Sequence, residues 1–240
     1  MTTEPETQLI ADLARGLGGT FLEGELILGG SSGLFGFETE TPAFTEYVDF
    51  LIQEELVAAR GAEIIEHLAR FGFQRAPESP TFTAPGKPMF DLVGYSKSDF
   101  SDHLSRPGPL QVMVYGDLGI VLGIPSSVVK RPSGAVLLSP AAFCAVKLLT
   151  LRVEKGAKDK LQALLVLGER SEDTGLRQHI QEIFARFDRD RIEDAVADAQ
   201  AAFLSLQRDP EFRDRGAEGY AKFLERAAKG FEVLQRIQGG

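Results

Sequence analysis

Cysteine is nearly absent from this chain. Cys144 is the only one in 240 residues, which excludes an intrachain disulfide and any cysteine-based metal cluster. Its neighbours Ala141, Ala142, Phe143, Ala145 and Val146 are apolar, so it reads as a buried helix residue rather than a nucleophile. Histidine is also sparse: His67 and His179 each stand alone on a predicted amphipathic helix, too isolated for a zinc site. Basic charge is outnumbered, with 26 Lys and Arg against 35 Asp and Glu, and the formal net charge of −9 disfavours non-specific binding to a phosphate backbone. No apolar run reaches the length of a membrane-spanning helix. The first residues, Met1-Thr2-Thr3-Glu4-Pro5-Glu6, are acidic and polar, without the basic-plus-apolar layout of a secretory signal. The expectation is a cytoplasmic protein with no membrane partner. No internal repeat, low-complexity segment or long linker is visible.

The stretch from Leu26 to Ile52 carries the most chemical information. An apolar run ends in Gly29-Gly30-Ser31-Ser32, which can present backbone N–H groups and hydroxyls to an anion if a helix starts there. A tight turn with Ser31 as a helix N-cap is the plainer reading of the same residues. A second apolar run, Tyr47-Val48-Asp49-Phe50-Leu51-Ile52, holds a carboxylate at its centre, and Met89-Phe90-Asp91-Leu92-Val93 repeats that arrangement. A carboxylate on a buried strand is costly unless it is paired, hydrogen-bonded or metal-bound.

The coarse pattern divides at Pro140. Before it, the sequence predicts a helix over Glu6 to Leu17 and strands over Phe21 to Leu28, Tyr47 to Ile52, Met89 to Gly94, Gln111 to Tyr115, Gly119 to Ile124 and Ala135 to Leu138. Ser31 to Phe37 reads as a short helix and Glu54 to Phe71 as a long one with Gly72 at its C-cap. Pro77 to Pro88 is a turn region with a short strand around Phe82, and Ser96 to Pro109 is read as a mobile loop near the site, its His103 solvent-exposed. After Pro140 every periodic segment is helical: Pro140 to Glu154, Lys158 to Leu167, Gly175 to Phe187, Arg189 to Leu206 and Ala217 to Ile237. The predicted class is α+β, a mixed sheet with helices, followed by an all-helical C-terminal region.

In order and spacing these blocks resemble the nucleotidyltransferase-like proteins of the DNA polymerase β superfamily, in its minimal and toxin-type branch. The resemblance rests on Leu28-Gly29-Gly30-Ser31-Ser32, on Tyr47-Val48-Asp49 as the counterpart of an Asp-x-Asp strand, and on Asp91 as the third carboxylate. It continues through Ser139-Pro140, Lys147 and Arg152 to Lys158-Asp159-Lys160-Leu161-Gln162, where the branch carries a Lys-Asp-x-x-Asp helix. It implies a nucleotidyltransferase-like α+β domain over residues 1–139 and a helical region over 140–240. It further implies nucleotide binding by Gly29, Gly30, Ser31, Lys147, Arg152 and Lys158, with Asp49 and Asp91 as catalytic residues and ligands of Mg²⁺ or Mn²⁺.

The departures from the pattern are as informative. Tyr47 stands where the first aspartate would be, and Glu46 points to the opposite face of a strand, so it is no substitute. Thr45 remains of an Arg-Thr pair that often precedes the motif, and Gln162 replaces the last aspartate of the helical block. The expected function is therefore a nucleotidyltransferase-fold protein that binds a nucleoside triphosphate with a divalent metal and transfers a nucleoside monophosphate to an RNA, protein or small-molecule acceptor. The alternative is a catalytically degenerate nucleotide-binding or protein-interaction module. A third reading, an unrelated α+β scaffold whose helical half mediates assembly, leaves a homo-oligomer open.

Overall fold

A computed structural model of the chain describes residues 4–36, 47–76, 79–149, 156–206 and 217–239. The chain divides into two compact units, Met1–Ser139 and Pro140–Gly240. The first is a mixed sheet with helices and the second is helical, so the α+β expectation holds.

In the sheet unit, helix α1 (Glu4–Leu17) is followed by strand β1 (Ile27–Gly29), a 3₁₀ turn (Ser31–Gly36), strand β2 (Tyr47–Gln53) and helix α2 (Glu54–Arg70). Strands β3 (Gln74–Arg75), β4 (Thr81–Thr83), β5 (Met89–Tyr95), β6 (His103–Ser105) and β7 (Val112–Val114) come next, then helix α3 (Gly116–Leu122) and the hairpin of β8 (Val128–Lys130) and β9 (Val136–Leu138). The described strands run in the order β3-β4-β5-β2-β1-β9-β8, and β7, with β6 beyond it, pairs with the later half of β5. At the centre β2 and β5 are parallel over seven register pairs, from Tyr47 opposite Met89 to Gln53 opposite Tyr95, while β1 is antiparallel to β2.

The period-2 alternation of β2 and β5 sorts their side chains onto two faces. Val48, Phe50, Ile52, Phe90 and Leu92 are all buried. Phe90 stacks on Phe82 with centroids 5.1 Å apart and meets Phe50 and Phe73 edge-on at 5.5 and 4.9 Å. Such ring pairs add about 0.5–1.5 kcal/mol each beyond simple burial. From α1, Ile10, Leu13 and Leu17 line a small cavity together with Phe50. The opposite face carries Tyr47, Asp49 and Asp91, none of them fully buried.

Two strand expectations fail. Phe21 to Gly24 turns rather than extends, and only Ile27–Gly29 is strand: Thr20 Oγ1 donates to the Leu17 carbonyl at 2.7 Å, and Gly24 has a φ of +80°. The apolar run Gly119 to Ile124 belongs to α3 and the turn after it, not to a strand. Gly116 and Gly119 let this helix lie directly on the backbone of Ser96 and Phe100, where any Cβ would collide. Short apolar runs are ambiguous in periodicity, and here close packing through glycine decides.

The helical unit contains α4 (Pro140–Leu149), α5 (Gly156–Glu169), α6 (Thr174–Phe184), α7 (Arg189–Leu206) and α8 (Ala217–Gly239). Pro140 opens α4 at the position where a missing N–H costs nothing. Helix α5 is buried from Asp159 to Gly168 and packs on α4, α7 and α8. Gly168 and Gly230 sit against the backbone of Arg226 and Leu164, which brings α5 and α8 into contact closer than any larger side chain permits. Among the described residues no strand follows Leu138.

Candidate functional site

The site grows from the end of β1. The chain leaves Gly29 and turns at Gly30, whose φ of +55° lies in the region that L side chains rarely adopt. A Cβ on Gly30 would also collide with the carboxylate of Asp49, so the glycine is required by the acid lying over it. Ser32 then ties the turn to the sheet: its buried hydroxyl donates to the Gly29 carbonyl at 2.8 Å and accepts the Asp49 N–H at 2.9 Å. Ser31 is buried as well. The short helix expected here is a 3₁₀ helix over Ser31–Gly36, and Phe37 lies outside the described residues.

Strand register assembles the rest. Gly29 is opposite Asp49, Asp49 is opposite Asp91, and Asp91 is opposite Thr81, forming one row across β1, β2, β5 and β4. Residues directly opposite in a sheet share a face on strands about 4.8 Å apart. Like charges directly opposite on neighbouring strands disfavour each other, and a cation between them reverses the sign. Thr81 Oγ1 donates to Asp91 Oδ1 at 2.6 Å; Ser79 Oγ donates to Thr81 Oγ1 at 2.9 Å and accepts the Thr81 N–H at 3.1 Å. Among the described residues Asp91 Oδ2 has no hydrogen-bond partner.

Tyr47 lies two residues before Asp49 on the same face, opposite Met89 and 38% exposed, so a phenol occupies the position that an Asp-x-Asp pair would give to its first acid. Glu46 and Thr45 lie outside the described residues. Among those described, no group of three or more His, Cys, Asp or Glu is arranged to hold a metal ion. An in-register pair of carboxylates, one with an oxygen lacking a protein partner, fits a single hard cation that draws its remaining oxygens from water or a phosphate.

The basic block belongs to the helical unit. Lys147 on α4 is buried and paired with Asp159 of α5 at 2.5 Å. Lys160, also buried, donates to the carbonyls of Lys147 and Leu148, and Arg191 donates to the Leu149 carbonyl at 2.9 Å. These cations satisfy the last carbonyls of α4, as the dipole at a helix C-terminus favours. Lys158 is half-buried, and Arg152 lies outside the described residues. Cys144 is fully buried, and burial pushes its thiol well above the ordinary range, as an inert cysteine requires.

The Ser96 to Pro109 stretch differs from expectation. It begins five residues beyond Asp91, roughly 16 Å along the strand at about 3.3 Å per residue, and it is pinned rather than open. Glu55 accepts from Ser96 Oγ at 2.8 Å and from Ser98 Oγ at 3.3 Å, and Asp102 accepts the Gly116 N–H at 2.8 Å. Desolvation raises the Glu55 carboxyl, but its hydrogen bonds from the backbone, Ser96, Lys97 and Ser98 together hold it below the usual range. His103, partly covered, contacts Glu54 through Nε2 at 2.9 Å; that bond, then the one to the Ser101 carbonyl, raises its pKa. Tyr95, at the end of β5, is pushed up to about 12 by burial and by the nearby Glu25 and Glu55.

Sequence reasoning missed Thr81, Ser79 and the structural use of the Ser32 hydroxyl. The one available signal was Thr81-Phe82-Thr83: with Phe82 in the core, the threonines must point to the carboxylate face. Comparisons with protein-family models, with curated proteins and with solved structures found no match.

Proposed function

We propose that this chain is a nucleotidyltransferase-fold protein of the polymerase β type, which binds a nucleoside triphosphate with Mg²⁺ or Mn²⁺ and transfers a nucleoside monophosphate to an acceptor hydroxyl, breaking the α–β phosphoanhydride bond and releasing pyrophosphate. The observation that carries the reading is the in-register pair of Asp49 and Asp91 on adjacent parallel strands, beside a glycine turn that Asp49 itself covers. In this reading the two carboxylates hold the cation, which when bound offsets charge on the phosphate oxygens. Backbone N–H groups of Gly29, Gly30 and Ser31 face the terminal phosphates. Asp91 accepts the proton of the attacking hydroxyl, a role usually contributing roughly 10²- to 10⁴-fold in rate. Lys147, Arg152 and Lys158 enter from the sequence resemblance alone, and the Lys147 ammonium is already paired with Asp159.

Tyr47 favours a second reading, a nucleotide-binding module that has lost transfer. One acid fewer on the site face suits one metal better than two. The test is binding and transfer with all four nucleoside triphosphates, using Mg²⁺ and Mn²⁺ separately, on wild type and Tyr47→Asp. The transferase reading expects weak or acceptor-restricted transfer in the wild type that rises in Tyr47→Asp. Metal-dependent binding without transfer in either protein would select the module, and no metal-dependent binding in either would overturn both.

A further inference from the structure

We infer that Thr81 is a positioning residue for Asp91: its hydroxyl, itself held by Ser79, locks one carboxylate oxygen so that the other is presented to a divalent cation. The inference rests on the reading of Asp49 and Asp91 as a cation site and names the residue that makes it a formed site rather than two mobile acids.

Three observations meet at Thr81. Its place opposite Asp91 on β4 puts its side chain on the same face as the two acids, so the contact follows from sheet register rather than from a flexible loop. The 2.6 Å distance is that of a hydroxyl donating to an ionised carboxylate, the stronger class of such bonds. Behind it, Ser79 Oγ donates to Thr81 Oγ1 while accepting the Thr81 N–H, which leaves the threonine hydroxyl one direction in which to donate, towards Asp91. Asp91 is only partly buried, and its Oδ2 has no protein partner among the described residues, so that oxygen is open to an incoming ion.

An aspartate side chain has two rotatable bonds, and a ligand acid that must first be ordered loses affinity by the cost of ordering it. Partners behind metal ligands typically account for about 10- to 100-fold in affinity. Thr81 should carry an effect of that size without touching the ion. Its β-branched shape also suits a strand, so valine preserves backbone preference while deleting the donor.

The test is titration of the full chain with Mn²⁺ alone, followed by calorimetry and by the electron paramagnetic signal of the free ion, for wild type, Thr81→Val, Thr81→Ser, Thr81→Ala and Asp91→Asn. Thermal unfolding and circular dichroism are recorded for each. The expected result is that Thr81→Val and Thr81→Ala weaken Mn²⁺ binding by about 10- to 100-fold, that Thr81→Ser stays within about 3-fold of wild type, and that Asp91→Asn abolishes binding. Unchanged Mn²⁺ affinity in folded Thr81→Val, with binding lost in Asp91→Asn, would overturn the positioning role and leave the cation site standing. Equal weakening in Thr81→Ser and Thr81→Val would also overturn it, because the donor would then not be the cause. No Mn²⁺ binding by the wild type would overturn both the inference and the site beneath it.

Discussion

The two units place their charged side chains in opposite ways. In the helical unit the charges that leave water are of opposite sign and answered: Lys147 by Asp159, Lys160 by the carbonyls at the end of α4. In the sheet unit two acids of the same sign stand opposite each other on parallel strands, and one oxygen of Asp91 has no partner among the described residues. The first arrangement holds a fold together. In the second, like charges face each other on neighbouring strands, an arrangement that the proposed cation would offset.

The largest effect expected from breaking this contrast lies in the helical unit. Lys147→Met leaves Asp159 buried without its cation, which typically costs about 3–5 kcal/mol, and Asp159→Leu added to it should recover most of that loss. Denaturant unfolding of the single and double variants measures both, and Mn²⁺ affinity should follow only the loss of folded protein. Gly30→Ala comes next, striking the sheet unit. A methyl there meets the Asp49 carboxylate and sits at a positive φ, so it should destabilise by clearly more than the backbone strain alone, about 1–2 kcal/mol, and weaken Mn²⁺ binding in the fraction still folded. Gly72→Ala, at a φ of +84° with open space around it, is the control that carries the backbone strain without the collision.

Ser32→Ala sharpens the comparison further. It strands the Asp49 N–H beside a buried hydrophobic methyl, at about 1–3 kcal/mol for a buried donor left unsatisfied, with strand β2 and the turn loosened together. Hydrogen exchange at the Asp49 amide should accelerate in step with the loss in unfolding free energy. The smallest effect belongs to the far end of β2. Because the bond to Glu54 raises the His103 pKa, the His103–Glu54 contact stabilises the fold fully below the ordinary histidine range, and that contribution is lost as pH rises through the raised folded value. The melting-temperature gap between wild type and His103→Gln should therefore be open near about pH 5 and closed by about pH 9, since an unperturbed histidine titrates near 6.5.

What was legible in the sequence was whatever alternation alone controls. Val48 and Phe50 flanking Asp49, and Phe90 and Leu92 flanking Asp91, suffice to put each acid on the less buried face of its strand, and the change of period at Pro140 separates sheet from helices. Register was not legible, because nothing local in Met89 to Tyr95 says which β2 residue it will face. Thr81 stayed hidden for the same reason, its role existing only once β4 lies against β5. Lys147 interrupts an apolar run, but its partner is twelve residues away on another helix, and the sequence cannot distinguish a phosphate from an aspartate as the answering charge. In α3, Gly116 and Gly119, the latter the first residue of an expected strand, are instead contact surfaces against Ser96 and Phe100.

The account turns on whether Asp49 and Asp91 act together on one cation. The most direct measurement is calorimetric titration of nucleoside triphosphate, with and without Mg²⁺ or Mn²⁺, into wild type, Asp49→Asn and Asp91→Asn, with unfolding curves recorded beside each. The account predicts that the wild type binds at least one triphosphate only when the metal is present and that either substitution abolishes this binding while the fold survives. Triphosphate binding that needs no metal, or that persists in both variants, would contradict it.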